Sequence, residues 1–101
     1  MRFAPLFVAA LAALVAVPAL AANPVNGKKV FDDNCASCHG VDGNSTMAGV
    51  PHFAKGERLE KPDAQLLTTI RNGLNIMPAW KGMISDADQA DALAYARTLR
   101  K

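Results

Sequence analysis

Cysteine is scarce in this chain. Only Cys35 and Cys38 occur among 101 residues, and a disulfide between thiols three positions apart would close a tiny loop and restrain little of the unfolded chain. A disulfide framework is therefore excluded. An excess of one charge is missing too: 11 basic residues stand against 9 acidic ones, for a formal net charge of +2. That balance leaves no electrostatic footprint for nucleic acid. No internal repeat or low-complexity tract occurs, and no stretch alternates apolar and polar residues long enough to indicate a sheet.

One long apolar run is present, at the start. Arg2 follows Met1, and Phe3 to Ala22 carries no charged or polar side chain, with Ala19-Leu20-Ala21 forming a small-x-small pattern. This layout is that of an export signal at residues 1–21, whose removal leaves Ala22 or Asn23 first and a domain at 22–101. Twenty apolar residues also suffice to span a bilayer. Their Ala-rich composition, broken by Pro5 and Pro18, makes the insertion energy modest, and the small residues before Asn23 suit a peptidase better than a lipid interface. Without Arg2 the mature net charge is +1. A domain of about 80 residues lies near the lower limit for a self-sufficient apolar core, so an additional staple is expected.

The rest reads as helices and loops. From Val25 to Ser37 the small or apolar Gly27, Val30, Phe31 and Cys35 recur at helical spacing, with Lys28, Lys29, Asp32 and Asp33 opposite, which predicts one amphipathic helix with Cys35 near its end. Glycines, Pro51 and small polar residues fill 40–61 and predict a long loop, of a length that is functional or wraps around something. Pro62 and Asp63 open a second helix with Leu66, Leu67 and Ile70 as its buried stripe and Gly73 as its stop. After a loop over 74–84, Ser85 or Asp86 caps a last helix whose apolar face holds Ala92, Leu93, Ala96 and Leu99, with Tyr95 beside it. Asp86 and Asp88 complement its positive end, and Arg97, Arg100 and Lys101 its negative end.

Cys35-Ala36-Ser37-Cys38-His39 is the decisive string. Two thiols at this spacing can each add to one vinyl group of a haem while the following imidazole turns to the iron. A thioredoxin-like redox pair would need a preceding strand and a parallel sheet, for which no pattern exists. A zinc site built from Cys35, Cys38, His39 and His52 lacks the usual second ligand pair. An electron carrier also needs a sixth iron ligand that excludes solvent and oxygen, and a thioether does so while favouring the reduced state. Met77 in Asn75-Ile76-Met77-Pro78-Ala79-Trp80 is the expected ligand, since Pro78 stiffens the chain directly after the sulfur. Met47 and Met83 are the alternatives, and His52 would give a bis-histidine site.

These residues resemble those of a class I monohaem cytochrome c of the small bacterial kind, and the likeness covers essentially the whole mature chain. The resemblance implies an all-α cytochrome c fold, with N- and C-terminal helices packed together around one covalent haem c and its iron, and with long loops. Gly27, Phe31 and Cys35 reproduce the family's steps of four, and Tyr95 fills the place of an aromatic packed near that glycine. Pro51, twelve residues after His39, corresponds to the proline whose carbonyl accepts the ligand histidine's Nδ1 proton. Trp80 is similar to the aromatic that packs at the haem, and Asn72 and Asn75 stand near the ligand loop.

The implied function is electron transfer in the periplasm rather than enzymatic catalysis. A monomer would meet its partners transiently: a donor dehydrogenase or oxidoreductase, and an acceptor oxidase or reductase. No membrane span would remain after cleavage. Lys28, Lys29, Lys55, Arg58, Lys61 and Lys81 form either a local docking ring or a scattered solvated surface. Rival readings are a haem enzyme or gas sensor with an open iron position, and a dedicated subunit of a dehydrogenase or oxidase complex.

Overall fold

In the computed structural model, residues 21–101 are described, and the expected export signal lies outside that span except for its last residue. Helix α1 runs Pro24–Asn34. The Asn23 side chain accepts from the Val25 N–H at 2.9 Å and Pro24 sits in the first turn, where its missing N–H costs no bond. Gly27, Val30 and Phe31 face inward. The helix does not continue to Ser37 as the spacing suggested. Cys35 departs to φ −111°, although its N–H still reaches the Phe31 carbonyl at 2.8 Å, and a one-turn helix α2, Ala36–His39, follows. This break redirects the chain, and His39 is buried at its end. Gly40, at φ 79°, stops the turn.

The segment 40–61 is irregular except for a 3₁₀ turn at Phe53–Lys55. Its backbone is nevertheless well paired. The Thr46 N–H donates to the Cys38 carbonyl at 3.0 Å, Ala54 N–H to Gly43 at 3.1 Å, and Lys101 N–H to Ala54 at 3.0 Å. Helix α3, Asp63–Asn72, begins after extended Pro62 and ends at Gly73. Its expected buried stripe is only half-buried: Leu66, Leu67 and Ile70 all stay partly accessible. The physical reason is that α3 borders a cavity and a surface rather than a filled core.

Ser85 Oγ accepts from the Asp88 N–H at 3.1 Å and starts helix α4, Asp86–Thr98. Ala92, Leu93 and Ala96 are its buried apolar residues. Helices α1 and α4 cross at Gly27, where a Cβ would lie 1.9 Å from the Asp91 carbonyl oxygen and 3.0 Å from Tyr95 Cβ. Only the absence of a side chain allows this approach. Asn26 Nδ2 donates to both Asp88 and Asp91 at 2.8 Å, tying the same crossing at its edge. The Phe31 and Tyr95 rings meet edge to face with centroids 5.4 Å apart.

Among the described residues there is no sheet, only the isolated bridges Leu74 with Met77 and Lys81 with Ile84. The all-α expectation and the packing of the terminal helices therefore hold. No described helix is long and apolar enough to cross a membrane. The buried apolar residues are Val30, Phe31, Leu59, Leu93 and four alanines. With so few side chains larger than alanine, the polypeptide leaves a gap in its centre.

Candidate functional site

That gap is a cavity of about 460 Å³, counting space open to solvent. Phe31 and Cys35 wall it on the α1 side, Ile70 on α3, and Gln89, Ala92, Leu93 and Ala96 on α4. His39 of α2 and Phe53 of the 3₁₀ turn contribute, and the 74–84 loop adds Met77, Trp80 and Ile84. Its walls are apolar with few polar groups, a lining that suits a flat organic cofactor.

His39 is fixed on two sides. Its Nδ1 lies 3.3 Å from the Pro51 carbonyl, and because a carbonyl only accepts, Nδ1 carries the proton and leaves the Nε2 lone pair free. Its ring stacks on Phe53 with centroids 4.4 Å apart and planes 12° from parallel. Burial holds the imidazole below its ordinary pKa, against the smaller opposing effect of the Pro51 bond. At neutral pH the residue therefore presents an unprotonated nitrogen donor.

Burial, followed by the neighbouring Cys38, pushes the Cys35 thiol up to about 11. A redox-active thiol needs the opposite, a depressed pKa that supplies thiolate. Cys35 belongs to the cavity wall, whereas Cys38 is half-buried and stands outside it. No group of three or more His, Cys, Asp or Glu residues gathers as a metal site among the described residues. His52 is engaged elsewhere, with its Nδ1 accepting from the Ser45 N–H at 2.9 Å. The geometry thus offers nothing to the zinc reading.

The three methionines of the described span separate clearly. Met77 lines the cavity, while Met47 and Met83 are 42% and 71% exposed. The Met77 loop is built tightly: Leu74 and Met77 exchange backbone bonds of 3.1 and 2.9 Å. Trp80 N–H and Lys81 N–H donate to Ile70 and Arg71 at the end of α3, at 3.0 and 3.1 Å. Trp80 lines the cavity. Asn72 and Asn75 are exposed and make no side-chain hydrogen bond among the described residues, and Asn75 serves the turn by adopting φ 54°. In the proposed lysine ring, Lys28 is paired with Asp32 at 2.6 Å.

Two residues at the site were not foreseen. Phe53 could have been noticed as an aromatic two positions after Pro51. Gln89 shares the spacing of Ala92, Leu93 and Ala96 on α4 and is 1% exposed. Its Nε2 donates to the Ile84 carbonyl at 2.8 Å and faces that of Trp80 at 3.5 Å, while its Oε1 is buried without a partner among the described residues. An unpaired buried acceptor costs about 1–3 kcal/mol.

Residues 22–95 match the family model described as cytochrome c oxidase, cbb3-type, subunit III. The chain is similar to cytochrome c6 of Thermosynechococcus vestitus, with 38% identity over 93% of this chain and 88% of that protein. It is also 37% identical to the cbb3-type oxidase subunit CcoP of Azospirillum brasilense, over 78% of this chain but 29% of the relative. Among solved structures, cytochrome c6 from the diatom Phaeodactylum tricornutum superposes with a TM-score of 0.63 at 26% identity, covering 75% of this chain and 92% of that one.

Proposed function

This chain belongs to the small monohaem c-type cytochromes, electron-transfer proteins with a covalent haem c and its iron, and from that premise we propose that it is a periplasmic carrier with His39 and Met77 as iron ligands. The observation that carries the ligand assignment is that His39 and Met77 border one cavity while Met47 and Met83 lie at the surface. Cys35 and Cys38 are the two thioether attachment points on this reading.

When bound, the haem supplies a one-electron ferric/ferrous couple. The side chains set its working conditions. Pro51 and Phe53 hold the His39 ring so that Nε2 is aimed and unprotonated, which raises its donor strength. Met77 is presented by a loop pinned to α3 through Trp80 and Lys81. The apolar wall excludes water and makes additional positive charge costly, which favours the reduced state.

Leu74, Ile76 and Met83 are exposed and give the 74–84 loop an apolar outer face. Such a face suits the small, short-lived contacts of electron-transfer encounters with a donor dehydrogenase and an acceptor oxidase. The likeness to part of an oxidase subunit supports a second reading, in which the same domain serves one oxidase complex. Gel filtration of native extract separates a free carrier from a complex subunit.

The ligand assignment is tested by substitution. Met77→Ala abolishes the weak red sulfur-to-iron absorption band of the oxidised protein and lowers its potential, whereas Met47→Ala leaves both intact. The reverse result moves the ligand to Met47. Rapid carbon monoxide binding to the reduced wild type would instead indicate an open iron position.

A further inference from the structure

Gln89 is the polar residue of the cavity wall that neither ligation nor attachment uses. It occupies an otherwise apolar face of α4 and is 1% exposed. Its Nε2 is committed to the Ile84 carbonyl at 2.8 Å, with the Trp80 carbonyl at 3.5 Å. Because both neighbours can only accept, the amide cannot be turned round, and Oε1 must be the free end. That oxygen is buried and has no donor among the described residues. A metalloporphyrin has no ring N–H to offer it, so any effect on the haem is electrostatic. In a low-dielectric wall, a fixed dipole acts with little screening.

We infer that Gln89 is a positioning residue with two functions: its amide N–H pins the Met77 loop to α4, and its amide oxygen places the negative end of a dipole at the haem pocket. The second function stabilises the more positive ferric state and sets the reduction potential below that of an apolar-walled site. The inference rests on haem c occupying this cavity.

The test is the midpoint potential of holoprotein carrying Gln89→Leu or Gln89→Glu, with haem attachment verified by a haemochrome spectrum in every sample. Leu removes both donor and oxygen. Its ferrous-to-ferric ratio at fixed ambient potential should rise about threefold or more, an upward shift of about 30 mV at 59 mV per decade for one electron. Glu keeps an acceptor oxygen in either protonation state and should leave the potential at or below wild type. A role confined to pinning the loop would instead make each variant's potential follow its loss of urea stability, whether or not a protonated Glu keeps the bond to the Ile84 carbonyl, and that correlation overturns the electrostatic assignment. So does a Leu potential at or below wild type. If Gln89→Leu takes up no haem, Gln89→Ile supplies the same comparison with Glu. Absence of covalent haem from the wild type would refute the haem premise instead, a result distinct from either.

Discussion

Gly27→Ala is the sharpest test of the packing that holds this site together, because two effects of opposite sign compete in it. In an ordinary helix interior, alanine is favoured over glycine by about 1 kcal/mol. At the α1–α4 crossing the new Cβ would lie 1.9 Å from the Asp91 carbonyl oxygen and 2.5 Å from its carbon, both backbone atoms that no rotamer change can move. The helices must separate by about 1 Å before contact is tolerable. That separation also loosens the Phe31–Tyr95 contact and the bonds from Asn26 to Asp88 and Asp91. Overpacking of this kind costs about 1–3 kcal/mol, and here the obstacle is rigid. A net loss of about 2 kcal/mol is expected. Urea unfolding of the holoprotein, followed by far-ultraviolet circular dichroism, should then show a midpoint lower by roughly 1–2 M for a slope of 1–2 kcal/mol/M. An unchanged or higher midpoint would mean that helix propensity outweighs the crossing and that Gly27 is only a helix residue.

Arg97 donates to the carbonyls of Leu59 at 2.7 Å and Lys61 at 2.9 Å and pairs with Asp63 at 2.7 Å. Arg97→Ala should destabilise by about 2 kcal/mol in the same urea assay, while Asp63→Asn should cost under about 1 kcal/mol because that carboxylate is exposed. Equal losses would place the energy in the ion pair rather than in the two carbonyl bonds. Ser85→Ala should cost about 1 kcal/mol and speed hydrogen exchange at the Asp88 amide, whereas Ser85→Asp should restore both.

The parts legible in the sequence are those written in local chemistry. Ser85 and Gly73 mark helix ends through side-chain capping and left-handed backbone, and both stand where expected. The expected export signal rests on equally local chemistry, and it lies outside the described span except for its last residue. The expected helix runs on through Cys35 to Ser37 because Asn34 and Ser37 bracket the cysteine with no breaker, whereas α1 ends at Asn34. The turn there is imposed by the loop that follows, through Thr46 N–H on Cys38 and Thr46 Oγ1 on the Ser37 carbonyl at 2.8 Å. Spacing along one segment carries no trace of that constraint. Leu66, Leu67 and Ile70 show the complementary error. Their periodicity correctly marks an apolar face, but how far the face is covered depends on what fills the cavity beside it.

Gln89 shows how the two kinds of information combine. Its spacing from Ala92, Leu93 and Ala96 assigns it to the buried face, while its chemistry assigns it to the surface, and only the loop carbonyls of Trp80 and Ile84 resolve the conflict. A residue whose local preference contradicts its position is where function or strain is to be expected. An apolar side chain there would cost the loop its anchor but spare the wall an unpaired oxygen. The same substitution should therefore weaken the attachment of the Met77 loop and raise the potential. Stability and potential are separable readouts of one amide, the first reporting its nitrogen and the second its oxygen.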